Sequence, residues 1–156
     1  MSILSSKARI VVKLGSNTLT HETGKLNLRR MEKLVSTLSD FKNSGHEIVL
    51  VSSGAVAAGM SKVGLESRPS ATEVKQALAA VGQVELMQLY ERFFAAYGQA
   101  VAQLLLTKDI IDNPVRRAAF GGTFNELMKL GCVPIMNEND PISTEELKFG
   151  GNDTLS

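Results

Sequence analysis

Four short apolar runs, separated from one another by stretches of helical periodicity, constrain this chain more than any other feature. The first is Ile10-Val11-Val12, with Leu14 just beyond Lys13. Ile48-Val49-Leu50-Val51, Val101 to Leu106 and Cys132 to Met136 follow. Runs this short, bounded by turn residues, read as buried strands. Between the first two, Leu28, Met31, Leu34, Val35, Leu38 and Phe41 recur at spacings of three or four, with Asn27 as the expected N-cap and Gly45 as the stop. A second helical pattern runs from about Glu73 to Tyr97, with Leu78, Val81, Leu86, Leu89, Tyr90 and Phe93 expected to face inward. A third opens at Asn113-Pro114, reaches Leu130 and closes at Gly131. The order β-α-β-α-β-α-β predicts an α/β three-layer sandwich, a mostly parallel sheet with helices on both faces.

At 156 residues with 44% hydrophobic and 21% charged residues, the chain fits one globular domain. Such a domain buries roughly 70% of the surface its unfolded chain exposes and needs no disulfide or metal staple. Seventeen basic against sixteen acidic residues leave a net charge of +1, which gives no support to a nucleic-acid or membrane partner. Trp is absent and aromatics are 5%, which disfavours a base-stacking platform. No apolar run approaches the ~18 residues of a membrane span. The N-terminus lacks the apolar core of a signal peptide. The single cysteine, Cys132, forms no internal disulfide and suits a reducing, cytoplasmic setting. It opens an apolar run with no basic neighbour and reads as a packed thiol. His21 and His46 are isolated and read as surface residues, and Arg116-Arg117 as a solvated helix face.

Ligands of parallel sheets sit beyond the carboxyl ends of the strands, and three polar clusters fall there: Lys13-Leu14-Gly15-Ser16, Ser52-Ser53-Gly54 and Asn137-Glu138-Asn139-Asp140. A Lys at the end of a central parallel strand faces desolvation unless it meets an anion, and Gly15 and Ser16 let backbone N–H groups approach one. The plainer alternative is a solvated lysine. Ser53-Gly54-Ala55-Val56-Ala57-Ala58-Gly59 opens a small-residue helix whose free N–H groups attract carboxylate or phosphate, although close helix–sheet packing selects the same residues. Gly54 to Ser61 has nearly the spacing of a phosphate-binding P-loop, but Met60 stands where its lysine belongs, which excludes that class. No G-x-G-x-x-G follows the first strand, which argues against a nicotinamide oxidoreductase. Asn137 to Asp140 offers donors and acceptors for the ammonium and carboxylate of an amino acid, or simply a turn closed by Asp140-Pro141. Asn152-Asp153 reads by itself as a helix N-cap.

In sequence order, Val11 to Ser16, Val51 to Gly59, Ala79-Ala80-Val81-Gly82-Gln83, Gln103 to Thr107, Pro134 to Asp140 and Lys148 to Asp153 resemble the glutamate 5-kinases of the amino acid kinase family. The resemblance implies ATP-dependent phosphorylation of the L-glutamate side-chain carboxylate, the first step of proline biosynthesis, with ATP as co-substrate together with Mg²⁺. It implies that Lys13 holds the transferring phosphoryl group, with Gly15 and Ser16 on the phosphate side, and that the backbone around Gly15 and Gly54 lies near that group and the glutamate side chain. Ser53, Asp140 and Asn152 would bind glutamate, with Asn137 supporting, and Asp153 would orient catalytic lysines, Lys13 among them. It further implies proline as a feedback inhibitor and a homo-oligomer, with no nucleic-acid or membrane partner. One departure stands out: where the family carries an acidic residue, this chain has Gly151, which removes a contact to glutamate or metal. In the family, nucleotide-binding residues and a second catalytic lysine lie beyond the stretch matched here. Residues 1–156 are therefore expected to form the N-terminal part of one kinase domain, without its ATP-binding part. The end of the chain agrees, since Gly150 to Ser156 reads as a loop and first helical turn with no helix after it. The alternatives are a kinase acting on aspartate, acetylglutamate, carbamate or a nucleoside monophosphate, and a non-catalytic amino-acid-binding fragment.

Overall fold

The computed structural model describes residues 6–143. Strand β1 (Arg9–Leu14) leads through a short helix, α1 (Ser16–Leu19), to α2 (Leu28–Asn43) and strand β2 (Glu47–Ser52). Helices α3 (Ala55–Val63) and α4 (Thr72–Ala95) precede β3 (Val101–Leu106), and α5 (Lys108–Asp112) and α6 (Pro114–Lys129) precede β4 (Val133–Glu138). The strands form one sheet in the order β1-β2-β4-β3, parallel at every junction. The step from β3 back to β4 runs opposite to the steps before it. With right-handed crossovers, that reversal puts α6 on the face opposite α2, α3 and α4.

Two apolar layers result. On one face, Ile48, Leu50, Val133 and Ile135 meet Met31, Val35 and Leu38 of α2 and Leu86, Tyr90 and Phe94 of α4. On the other, Val49, Val51, Leu106 and Met136 are covered by Phe120, Phe124 and Met128 of α6. The central strands β2 and β4 are buried almost throughout, whereas β1 and β3 are exposed at alternate or scattered positions. Pro134 is unusual in a central strand because it has no N–H to donate. It is accommodated because the ladder to β2 begins only at Ile135, which pairs with Leu50.

The helix starts follow their local chemistry. The Asn27 side chain accepts the Arg30 N–H at 3.0 Å. Asn113 accepts from Val115 and Arg116 at 3.0 and 3.2 Å, with Pro114 in the first turn. Helices α3 and α4 meet backbone to backbone. A Cβ on Gly82 would come 1.7 Å from the Ala55 carbonyl oxygen, and one on Gly59 would come 1.9 Å from that of Leu78. This approach turns α4 so that Ala79, Gly82 and Gln83 are buried. Val81, expected to face inward, is instead 40% exposed. Phe93 is partly buried against the core, as the helical pattern predicts. Cys132 is half-buried and lies one residue ahead of β4. His46 is more engaged than a surface residue, since its Nδ1 accepts the Ala8 N–H at 3.2 Å.

Candidate functional site at the strand ends

All four strands run the same way, so their carboxyl ends share one edge. Lys13 lies near the end of β1, and Gly15 and Ser16 begin α1. The Ser53 N–H donates to the Leu14 carbonyl at 3.0 Å, which draws the ends of β1 and β2 together. Gly54 then turns the chain into α3 with φ +96°, a left-handed conformation that disfavours any side chain. On the far side of β2, β4 carries Asn137 to the same edge, one residue past the Met136 that pairs with Val51. Lys13 and Asn137 thus flank Ser53 across two inter-strand spacings, about 10 Å, which leaves room for a small ligand over the end of β2.

Two expectations change. The order of strands among the described residues puts β1 at an edge, and Lys13 is exposed, so burial in a central strand does not press it toward an anion. Asn137 and Glu138, expected in a loop after the strand, are its last two residues. They pair with Leu105 and Leu106 of β3 and are only 2% and 4% exposed. Only Asn139 and Asp140 enter the turn. There the Asn139 N–H donates to the Leu106 carbonyl at 2.7 Å, and the Asn139 carbonyl accepts from Ile142 and Ser143. Asn152 and Asp153, with Gly150 and Gly151, lie outside the described residues.

Beneath the edge lies a layer of buried polar side chains. The Asn137 amide nitrogen donates to Gln83 Oε1 at 2.9 Å, and its oxygen accepts the Glu138 N–H at 2.8 Å. Both ends of that amide are thereby engaged within the protein, which suits a supporting role better than direct contact with a ligand. Ser143 Oγ donates to Glu138 at 2.9 Å, and the Ser143 carbonyl accepts from the Gln76 side chain at 3.0 Å. These bonds fasten the turn that carries Asp140 to α4. Sequence patterning took Tyr90 for an ordinary core residue and left Gln76 and Ser143 unremarked. The signal for Gln83 was there, since it is a polar residue on a helix face otherwise occupied by Ala79, Leu86 and Tyr90.

Burial raises the Asp140 carboxyl above its usual range. Glu138 is also raised, chiefly by burial, with the Ser143 hydrogen bond opposing and the charge of Asp140 adding. Burial pushes the Tyr90 phenol up to about 12, with its hydrogen bond to Ser52 opposing. A carboxylate held in this way gains from the approach of a cation such as an ammonium group. Asp140 lines a hollow of about 190 Å³ with Ala55, Gln83, Leu105 and Glu138. A larger open cleft of about 1280 Å³ runs between the α1–α2 connection and the end of α3, and of the residues expected to bind glutamate or phosphate it touches only Ser16. The smaller hollow is the one that adjoins the polar strand ends. Among the described residues, no group of three His, Cys, Asp or Glu side chains is placed to hold a metal ion, and no helix is long and apolar enough to cross a membrane.

Comparison with known proteins agrees with the fold. Residues 8–156 match the amino acid kinase family. The glutamate 5-kinase of Moorella thermoacetica is 52% identical over 153 residues, covering 98% of this chain and 40% of that protein. That of Caldanaerobacter subterraneus subsp. tengcongensis is 50% identical over 148 residues, covering 95% and 40%. That of Clostridium perfringens is 49% identical over 157 residues, covering 98% and 58%. The chain therefore spans between 40 and 58% of the length of these relatives. With a parallel sheet between helices on both faces and a family match that runs from β1 to the last residue, the chain belongs to the amino acid kinase family.

Proposed function

We propose that this chain is the glutamate-binding part of an enzyme that transfers the γ-phosphoryl group of ATP to the side-chain carboxylate of L-glutamate, giving L-glutamate 5-phosphate for proline biosynthesis. The observation that carries the reading is an identity of 49 to 52%, across nearly all of this chain, to proteins named glutamate 5-kinase. We place the chain as the N-terminal part of one kinase domain, with the ATP-binding part beyond it, in a cytoplasmic enzyme.

The acceptor carboxylate is already a nucleophile at neutral pH, so no general base is required. Catalysis consists of aligning two anions and neutralising the charge that builds on the phosphoryl oxygens. Lys13 is the cation for that charge. A Cβ on Gly15, whose φ of −73° is ordinary, would meet nothing within 4 Å among the described residues, so neither strain nor crowding by them selects glycine there. Close approach of a phosphoryl group to the backbone of Gly15 and Ser16 does. Ser53, Gly54 and Asp140 surround the acceptor, with the Asp140 carboxylate facing the substrate ammonium. Asn137 holds this edge from beneath. Asn152 completes the glutamate contacts and Asp153 orients Lys13. Mg²⁺ enters as the counter-ion of the ATP phosphates. The described residues supply no cluster of His, Cys, Asp or Glu for it.

The test is a coupled assay of the full-length protein with ATP and Mg²⁺ against glutamate, aspartate, acetylglutamate, carbamate and a nucleoside monophosphate. Turnover with glutamate alone is expected. Turnover with another acceptor while glutamate stays silent overturns the assignment. The 156-residue chain by itself is expected to turn over nothing measurable, because the proximity effect needs both substrates. Equal activity in the short and long proteins would mean that the nucleotide site lies within these residues.

A further inference from the structure

Tyr90 has no exposed surface, and its hydroxyl lies 2.8 Å from Ser52 Oγ at the end of β2. Ser52, itself 2% exposed, donates to the Ser53 carbonyl at 3.2 Å. A serine hydroxyl has one proton. With that proton given to Ser53, Ser52 accepts from the phenol, and the direction of the chain is Tyr90 O–H to Ser52 O–H to Ser53 C=O. The peptide between Ser53 and Gly54 is planar and trans, so its N–H points opposite to its carbonyl. A carbonyl drawn inward toward Ser52 therefore turns the Gly54 N–H away from Tyr90. Rotation of this one peptide would exchange the donor for an oxygen, a partial negative charge where the reaction needs a positive one.

We propose that Tyr90 and Ser52 are positioning residues that fix the Ser53–Gly54 peptide with its N–H toward the reacting carboxylate and phosphoryl group. The inference rests on the kinase reading, because only that reading puts an anion at this peptide. Packing alone does not call for the hydroxyl, since a Phe fills the same volume beside Phe94 without burying an oxygen. The high proton affinity of the phenol keeps it a donor at any pH of a practical assay.

The experiment compares the full-length wild-type protein with Tyr90→Phe, Ser52→Ala and the double variant, by steady-state kinetics with ATP and glutamate and by thermal melting. Each single variant is expected to lower kcat by roughly 10- to 100-fold, the range for a misdirected transition-state donor, with KM for glutamate within about threefold of wild type. The double variant is expected to be no worse than the poorer single, because both changes break one relay. An active wild type with unchanged kcat in Tyr90→Phe overturns the proposal and leaves the kinase reading intact. So does a rise in KM alone, a loss that merely tracks the unfolded fraction, or losses that multiply in the double variant. A wild type inactive on glutamate removes the kinase reading, and this inference with it.

Discussion

Replacing Gly82 by alanine adds one methyl group at the closest contact between α3 and α4. Its Cβ would lie 1.7 Å from the Ala55 carbonyl oxygen and 2.4 Å from the Gly59 nitrogen, both backbone atoms of α3 that cannot rotate aside. Restoring even a 3.0 Å separation from that oxygen requires the helices to part by the 1.3 Å between the two distances. Overpacking of this kind costs about 1–3 kcal/mol. The kinetic consequence is larger, because Ala55 is the first residue of α3 and follows Gly54 directly. A shift of about 1 Å there misplaces the donor peptide, and misplacements of that size cost on the order of 10²-fold in rate. Urea unfolding and steady-state kinetics of the full-length protein measure both effects. Gly122→Ala is the control: it lies in α6, is exposed, and its Cβ would meet nothing within 4 Å. There the better helix propensity of alanine should stabilise by about 0.5–1 kcal/mol. If Gly82→Ala matched wild type in both stability and kcat, the backbone contact would not be what sets the position of α3.

Lys13→Ala in the full-length protein is expected to lower kcat by about 10²–10³-fold, the usual loss for one transition-state donor. An unchanged kcat with only a raised KM for glutamate would remove Lys13 from the phosphoryl group. Asp140→Asn should weaken glutamate binding yet raise thermal stability at neutral pH. Burial lifts the folded pKa of Asp140 above its ordinary 3.8. The protonated form is thus favoured in the fold, full stability holds below 3.8, and it is lost as pH rises through the folded value. The gain from Asn should fade as melting is repeated toward pH 3.5, about the low end of the carboxylate range, and a gain independent of pH would refute the assignment. Asn113→Ala removes both cap bonds of α6 and should cost about 1 kcal/mol in urea unfolding, with kcat unchanged because Asn113 is not part of the proposed site. A loss of kcat there would tie α6 to the reaction.

What could be read from the sequence was what is decided locally. The Asn27 and Asn113 caps were legible because a cap is a bond across three residues. Strand β3 matched its expected span, Val101 to Leu106, because turn residues bound it on both sides. The order β1-β2-β4-β3 was not legible, because pairing depends on distant segments. Helix α1, four residues long, is too short to show a period. The inward face of α4 was misjudged at Val81 for a physical reason: the helix carries apolar residues on every side, and the deciding contact is made by Gly82, which has no side chain to count.

The same ambiguity runs through the candidate site. A glycine in the sequence signals either two backbones in contact or room for something else, and the residue alone does not say which. The structure separates the cases: Gly59 and Gly82 are filled by a neighbouring helix, Gly54 is required by a left-handed turn, and Gly15 meets neither constraint among the described residues. Polar residues divide in the same way. Asn137 and Glu138 looked like loop because four polar residues follow an apolar run, yet the ladder to β3 continues through both. They are tolerated inside because Gln83 and Ser143 reach them. At that edge Lys13 and Ser16 are exposed, Gly15, Ser53 and Asp140 are partly exposed, and Gly54 is buried. Under the proposed function, Lys13 and the backbone at Gly15 would meet the phosphoryl group, and Ser53 and Asp140 the amino acid.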